Sequence, residues 1–169
     1  MPDLESLSSG AAYALLAALI FAESGLLLGF FLPGDTVLFG AGLLSGPGGP
    51  LSLPVLLALV LPAAIIGDLV GYWTGRKAGP AAFRRQGRLL NPKALARAEA
   101  FYARYGTFAV VGCRWIPWVR TFVPILAGTA AMPLRLFVLA DVVGAVLWGG
   151  GLLVVGHLTV TGVVANLQG

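Results

Sequence analysis

Residues 114–120 read Arg114-Trp115-Ile116-Pro117-Trp118-Val119-Arg120, two guanidinium groups and a proline inside sequence that is otherwise apolar from Thr107 to Ala131. Pro117 removes a backbone donor and crowds the carbonyl one turn behind it, so an uninterrupted helix is not expected to pass through it. An earlier apolar run, residues 11–31, meets a break of the same form and opposite charge: Glu23 interrupts it and Pro33-Gly34-Asp35 ends it. In hydrocarbon the backbone groups freed at such breaks must be buried in protein or line water. A helix that enters partway, breaks and returns to its own side, a re-entrant hairpin, meets that condition at both places.

Composition makes hydrocarbon the expected surroundings. Of 169 residues 58% are hydrophobic and 11% charged, and the mean hydropathy is +0.90, which is too apolar for a water-soluble domain. Residues 36–67 and 142–169 contain no Asp, Glu, Lys or Arg. Each stretch exceeds the ~20 residues that cross a bilayer, so at least two spans are expected. Asp3 and Glu5 precede the first apolar stretch and no basic residue occurs before Arg76, so residues 10–22 are expected to remain in the mature chain rather than form a cleaved signal.

Eight of the eleven basic residues fall between Arg76 and Arg104, with Glu99 as the only acid among them. The net charge of +4 is therefore read as membrane topology rather than as a nucleic-acid surface, and loop 76–104 is expected on the cytoplasmic side. Within it Asn91-Pro92 opens a helix that carries Leu95, Ala98, Phe101, Tyr102 and Tyr105 on one face and stops at Gly106; it is expected to lie in the interface. The lone Cys113 has no partner for a disulfide or a thiolate metal site and is read as a packing residue. No metal and no cofactor is expected.

The two halves share an order: apolar arm, charged break, apolar arm, turn, full span. Residues 23–75 and 107–157 resemble one another in this way, Ala41-Gly42 matching Ala127-Gly128 and Gly67 matching Gly144. One span per half, plus a hairpin returning to its own side, makes the halves inverted in the membrane. The expected fold is thus an all-α membrane protein of two opposed re-entrant helical hairpins with flanking transmembrane helices. It forms a single membrane domain over residues 1–169, with repeat one at about 11–75, a basic amphipathic segment at about 76–105 and repeat two at about 106–157.

Function is expected to rest on Glu23, Asp35, Arg114 and Arg120. On insertion scales each costs ~2.5–3.5 kcal/mol at a helix centre, so the four together would cost ~10–14 kcal/mol unpaired. Two acids and two bases sum to zero, and convergence of the hairpin tips would let them neutralise one another around a polar cavity near the midplane. A guanidinium offers paired planar donors that match a phosphate and keeps its charge when desolvated, which favours an anionic lipid headgroup. Thr121 and the amides that open the half-helix after Pro117 would add donors. Glu23 and Asp35 suit proton coupling instead.

Simpler roles exist for several of these residues. Asp35 after Pro33-Gly34 can cap the next helix, and the arginines can pair with acids or snorkel. Asp68 and Asp141 are secondary candidates, each able to satisfy a helix end or pair with an arginine, and His157 is read as interfacial. An intramembrane hydrolase built on Ser24-Gly25 would need His157, the only histidine, which lies far along the chain. A transporter is therefore expected, not an enzyme. Its closest rivals are a proton- or cation-coupled small-molecule exporter and a general phospholipid scramblase; a homo-oligomer is compatible with each.

The breaks also carry a family resemblance. Glu23 with Phe30-Phe31-Leu32-Pro33-Gly34-Asp35, Gly67-Asp68 with Gly71-Tyr72-Trp73 and Gly75-Arg76, and Arg114-Trp115-Ile116-Pro117 with Val119-Arg120-Thr121 occur in order. Ala127-Gly128, Met132-Pro133, Phe137, Gly144 and Trp148 follow. Over about residues 20–157 the chain resembles the DedA family, also called the VTT or SNARE-associated superfamily. The resemblance implies opposed re-entrant hairpins in a bacterial plasma membrane and translocation of a lipid driven by the proton motive force, with undecaprenyl phosphate as the leading substrate and a phospholipid or another anionic lipid as alternatives, since family members differ in substrate. It also implies that the family's important acids and arginines fall on Glu23, Asp35, Arg114 and Arg120. Two departures stand out: Asp141 occupies a position where relatives commonly have Asn, and the chain ends soon after His157 without a charged tail.

Overall fold

A computed structural model of the chain describes residues 2–25, 34–84, 105, 107–108 and 110–168. Pro33 and the interfacial helix expected from Asn91 lie outside the described residues. Six α-helices and no strand are found among those described: α1 Pro2–Gly25, α2 Gly34–Leu43, α3 Leu53–Arg84, α4 Pro117–Thr129, α5 Leu134–Ala145 and α6 Gly151–Gln168. A π-helical turn, Val146–Gly150, joins α5 to α6 without leaving helical dihedrals, so residues 134–168 form one continuous rod.

Several boundaries differ from those expected. Helix α1 starts at Pro2 and takes in Asp3 and Glu5, because nothing in residues 2–10 breaks a helix once Pro2 has served as its first-turn residue. Helix α3 runs on through Arg76 and Lys77 to Arg84 instead of giving way to a loop after residue 75. The final helix continues beyond His157 to Gln168, there being no Pro in residues 134–168 to stop it.

Length divides the helices into two kinds. Leu53–Lys77 and Leu134–Leu167 are long and apolar enough to cross a membrane. At 1.5 Å per residue, α2 and α4 reach only about 15 and 20 Å, well short of a ~30 Å hydrocarbon core.

Hydrogen bonds fix which ends lie together. Ser9 donates to the Pro50 carbonyl (3.3 Å) and the Ser52 amide donates to the Tyr13 hydroxyl (2.6 Å), which sets the first half of α1 beside the α2–α3 turn. Ser45 meets His157 at the same end, Oγ to Nδ1 at 3.0 Å. At the other end the Tyr72 hydroxyl donates to the Met132 carbonyl (2.6 Å) and Thr129 donates to the Gly75 carbonyl (3.2 Å). The rod therefore runs antiparallel to α3, starting where the apolar part of α3 ends.

The short helices are held by close backbone approaches. A Cβ on Gly42 would collide with the Leu153 carbonyl of α6 and stand 3.1 Å from Gly156 Cα; a Cβ on Gly128 would collide with the Tyr72 carbonyl of α3. Each short helix thus packs on the long helix of the other half, as small residues allow in lipid. Buried apolar side chains form two clusters. One gathers Ile20, Leu38, Leu56, Val60 and Leu153, the other Tyr72, Val123, Ala127 and Phe137, with Cys113 buried in the second as the packing role required. Large apolar residues also cover the outside, among them Leu15, Ile66, Leu139, Val155 and Leu158. A surface of that kind is adapted to lipid rather than water.

Candidate functional site

The charged residues meet between the two apolar clusters, in two layers. Arg120, in the first turn of α4, reaches Glu23 in the last turn of α1 and Asp35 in the first turn of α2. Its Nη2 donates to Glu23 Oε1 and its Nη1 to Asp35 Oδ1 at 2.8 Å. Pro117 opens α4, and Gly34 opens α2 with the Glu23 carboxylate against the place where a side chain would be. The Glu23 side chain is 2% exposed and that of Asp35 45%, so Asp35 is the edge at which this layer meets its surroundings.

The second layer centres on Arg114, in the turn just before α4. Its Nη2 donates to Asp68 Oδ2 of α3 and to Asp141 Oδ1 of α5, the latter at 2.6 Å, and all three side chains are buried. The arginine stem lies over Gly144, where a Cβ would stand 2.7 Å from Arg114 Cδ. A larger residue there would push the guanidinium off its acids.

Trp148 joins the layers. Its indole Nε1 donates to Asp35 Oδ1 at 2.9 Å, and its ring centroid lies 4.4 Å from Arg120 Cζ and 5.9 Å from Arg114 Cζ, within cation–π range of both. It stands in the π-helical turn, a form of helix that recurs at functional sites because it displaces a side chain from the regular spiral. Asp68, Arg114, Arg120 and Asp141 line a cavity of about 10 Å³ with Val110, Val123 and Pro124. That is room for about one water.

The partition of charge differs from the expected one. Glu23, Asp35 and Arg120 come together, but Arg114 does not join them as the fourth member of a neutral set. The turn at 114–116 directs Arg114 toward α3 and α5, where Asp68 and Asp141 take it. Each layer therefore has two acids on one base. Two carboxylate oxygens, Glu23 Oε2 and Asp141 Oδ2, are buried without a hydrogen-bond partner, one in each layer. Thr121 is buried but does not line the cavity.

One participant was not singled out from sequence as a site residue. Trp148 had a signal: a tryptophan within the charge-free stretch 142–169 carries an N–H that needs a partner when buried. Ser45 bonds to His157 outside the site. His157 itself is half-buried near one end of the rod and away from both layers, and no group that could hold a metal is found among the described residues.

Comparison with known proteins agrees with these features. The VTT domain family matches residues 32–158. An uncharacterised membrane protein of Mycobacterium leprae is 38% identical over 140 residues, 82% of this chain and 62% of that protein. Protein DedA of Escherichia coli is 38% identical over 138 residues, covering 80% and 63%, and an uncharacterised membrane protein of Mycobacterium bovis is 35% identical over 153 residues, covering 88% and 69%. The chain spans about 62% of the length of the first of these relatives. No solved structure matches it. Long apolar helices, a lipid-adapted surface and relatives named as membrane proteins make this a membrane protein, and with its VTT domain and its identity to DedA the chain belongs to the DedA family.

Proposed function

We propose that this protein is a transporter that carries an anionic lipid across the bilayer, with Arg114 and Arg120 as ligands for the headgroup phosphate and Glu23 and Asp35 as proton carriers. One observation carries the reading: two arginines, each already bracketed by carboxylates, converge where helices too short to span the membrane meet. A guanidinium that holds a carboxylate holds a phosphate by the same donors. The cavity, at about 10 Å³, admits no headgroup, so a phosphate enters only by displacing an acid from an arginine. Protonation of that acid weakens its hold on the guanidinium, and proton uptake and lipid binding are then linked by competition.

The membrane arrangement follows the same reading. α1 and α2 form one re-entrant hairpin and the residues before Arg114 form another with α4, in an inverted repeat whose long helices are α3 and the rod. The common location of Ser9, Tyr13, Ser45 and Pro50 at one end supports the first hairpin. The placement of α2 on α6 and of α4 on α3 supports the inversion. The protein is multi-pass in a bacterial plasma membrane with residues 76–104 cytoplasmic, and it performs no covalent chemistry. On the family resemblance the lipid is undecaprenyl phosphate.

Reconstitution into liposomes with labelled undecaprenyl phosphate tests this. Arg120→Ala should abolish movement, while Glu23→Gln and Asp35→Asn should flatten its pH dependence. Normal translocation by all three variants would falsify the assignment. Equal movement of zwitterionic phospholipids would point to a general scramblase, and activity indifferent to lipid phosphate to a small-molecule exporter.

A further inference from the structure

The Arg120 layer contains the acids assigned to proton coupling, which leaves Asp68 and Asp141 without a role beyond holding Arg114. We infer that these three residues form a second proton-binding site, loaded separately from the Glu23–Arg120–Asp35 layer. The inference adds to the proton role of Glu23 and Asp35 and does not depend on which lipid is carried.

Charge comes first. With both acids ionised the layer holds one positive and two negative charges, all on side chains 7% exposed or less. Both carboxylates bond to the same nitrogen, Arg114 Nη2, which draws them close to one another. Two carboxylates sharing a site resist simultaneous ionisation and take up one proton as a pair.

Asp141 Oδ2 is buried with no hydrogen-bond partner, although a carboxylate oxygen out of water normally accepts one or two bonds. An ionised oxygen left in that state is far more unfavourable than a neutral carboxyl group.

Among the described residues no other group is placed to supply the missing charge. From the α4 side the neighbours are Arg114, already bonded to both acids, and Arg120, which lines the cavity but is bonded to Glu23 and Asp35. On α3 the next titratable group is Tyr72, whose hydroxyl donates to the Met132 carbonyl; Arg76 donates to that same hydroxyl. Cys113, buried next to Arg114 in the chain, completes the set.

The proton step balances without a co-reactant. A proton from water reaching the cavity bonds to a carboxylate oxygen of the Asp68–Asp141 pair, and the charge of the layer goes from −1 to zero. On release it returns to water while Arg114 stays cationic throughout. The cavity is lined by both acids and both arginines, so one water there can touch this layer and the Arg120 layer in turn.

Infrared spectroscopy of the full chain in lipid, with hydrogen–deuterium exchange, reads protonated carboxyl groups directly. The native protein should give two exchangeable carboxyl C=O signals in the neutral range. Asp141→Asn should remove one and leave the other, about half of the total, and Asp68→Asn should remove the same one, since either change leaves one acid on one base. Glu23→Gln should remove only the second. Full native signal in both Asp variants would overturn the proposal, and so would loss of both signals in Glu23→Gln, which would make the layers a single site. Because the readout needs no transport, absence of lipid movement would count against the proposed function and leave this result standing.

Discussion

Arg120 holds Asp35, Glu23 and the face of Trp148 at once, and only a planar, forked cation can do so. A lysine would keep the charge and reach one acid at a time. Arg120→Lys should therefore fold but lose roughly one hydrogen bond to a charged group, ~1.5–3 kcal/mol, so lipid movement in liposomes should fall by about tenfold or more. Unchanged rates would show that charge alone suffices. At Trp148 the contributions separate: Trp148→Phe keeps a ring over Arg120 and loses the donor to Asp35, whereas Trp148→Leu loses both. Thermal unfolding in detergent should rank native above Phe above Leu, the last step reflecting the ~0.5–2 kcal/mol of a cation–π contact. Arg114→Ala should cost more stability than either, ~3–5 kcal/mol relative to the native protein, because it strands Asp68 and Asp141 without a counter-charge.

At the scale of elements, the short helices α2 and α4 owe their positions to glycines. Gly42→Val would set a branched side chain against the backbone of α6 at Leu153 and Gly156, whereas Gly162 has open space around it. The first change should lower the unfolding temperature, corresponding to overpacking of ~1–3 kcal/mol, and Gly162→Ala should leave it unchanged or slightly higher. Equal behaviour of the two would mean that the α2–α6 approach is not a tight joint. Elements were also where sequence reading was least complete. The breaks at Gly34 and Pro117 were legible because Pro and Gly act on their own backbone. The extension of α1 back to Pro2, of α3 past residue 75 and of α6 past His157 was not, because the end of an apolar run does not by itself stop a helix.

For the whole molecule, the proposed orientation puts residues 76–104 on the cytoplasmic side. With Cys113→Ala as background, Arg84→Cys and Arg88→Cys should be labelled by an impermeant thiol reagent only after the cells are opened; labelling of intact cells would reverse the topology.

From the sequence alone came the membrane character, the two long spans and the unusual weight of Glu23, Asp35, Arg114 and Arg120. Hydropathy, span length and insertion cost are properties of single residues and short windows, and they need no knowledge of neighbours. The tertiary structure alone decided who pairs with whom: Arg120 with Glu23 and Asp35, Arg114 with Asp68 and Asp141, and Trp148 between the layers. Those partners lie 27 to 113 positions apart in the chain. Their meeting depends on where helices cross, and helix crossing is set by the packing of whole faces, which no local pattern records.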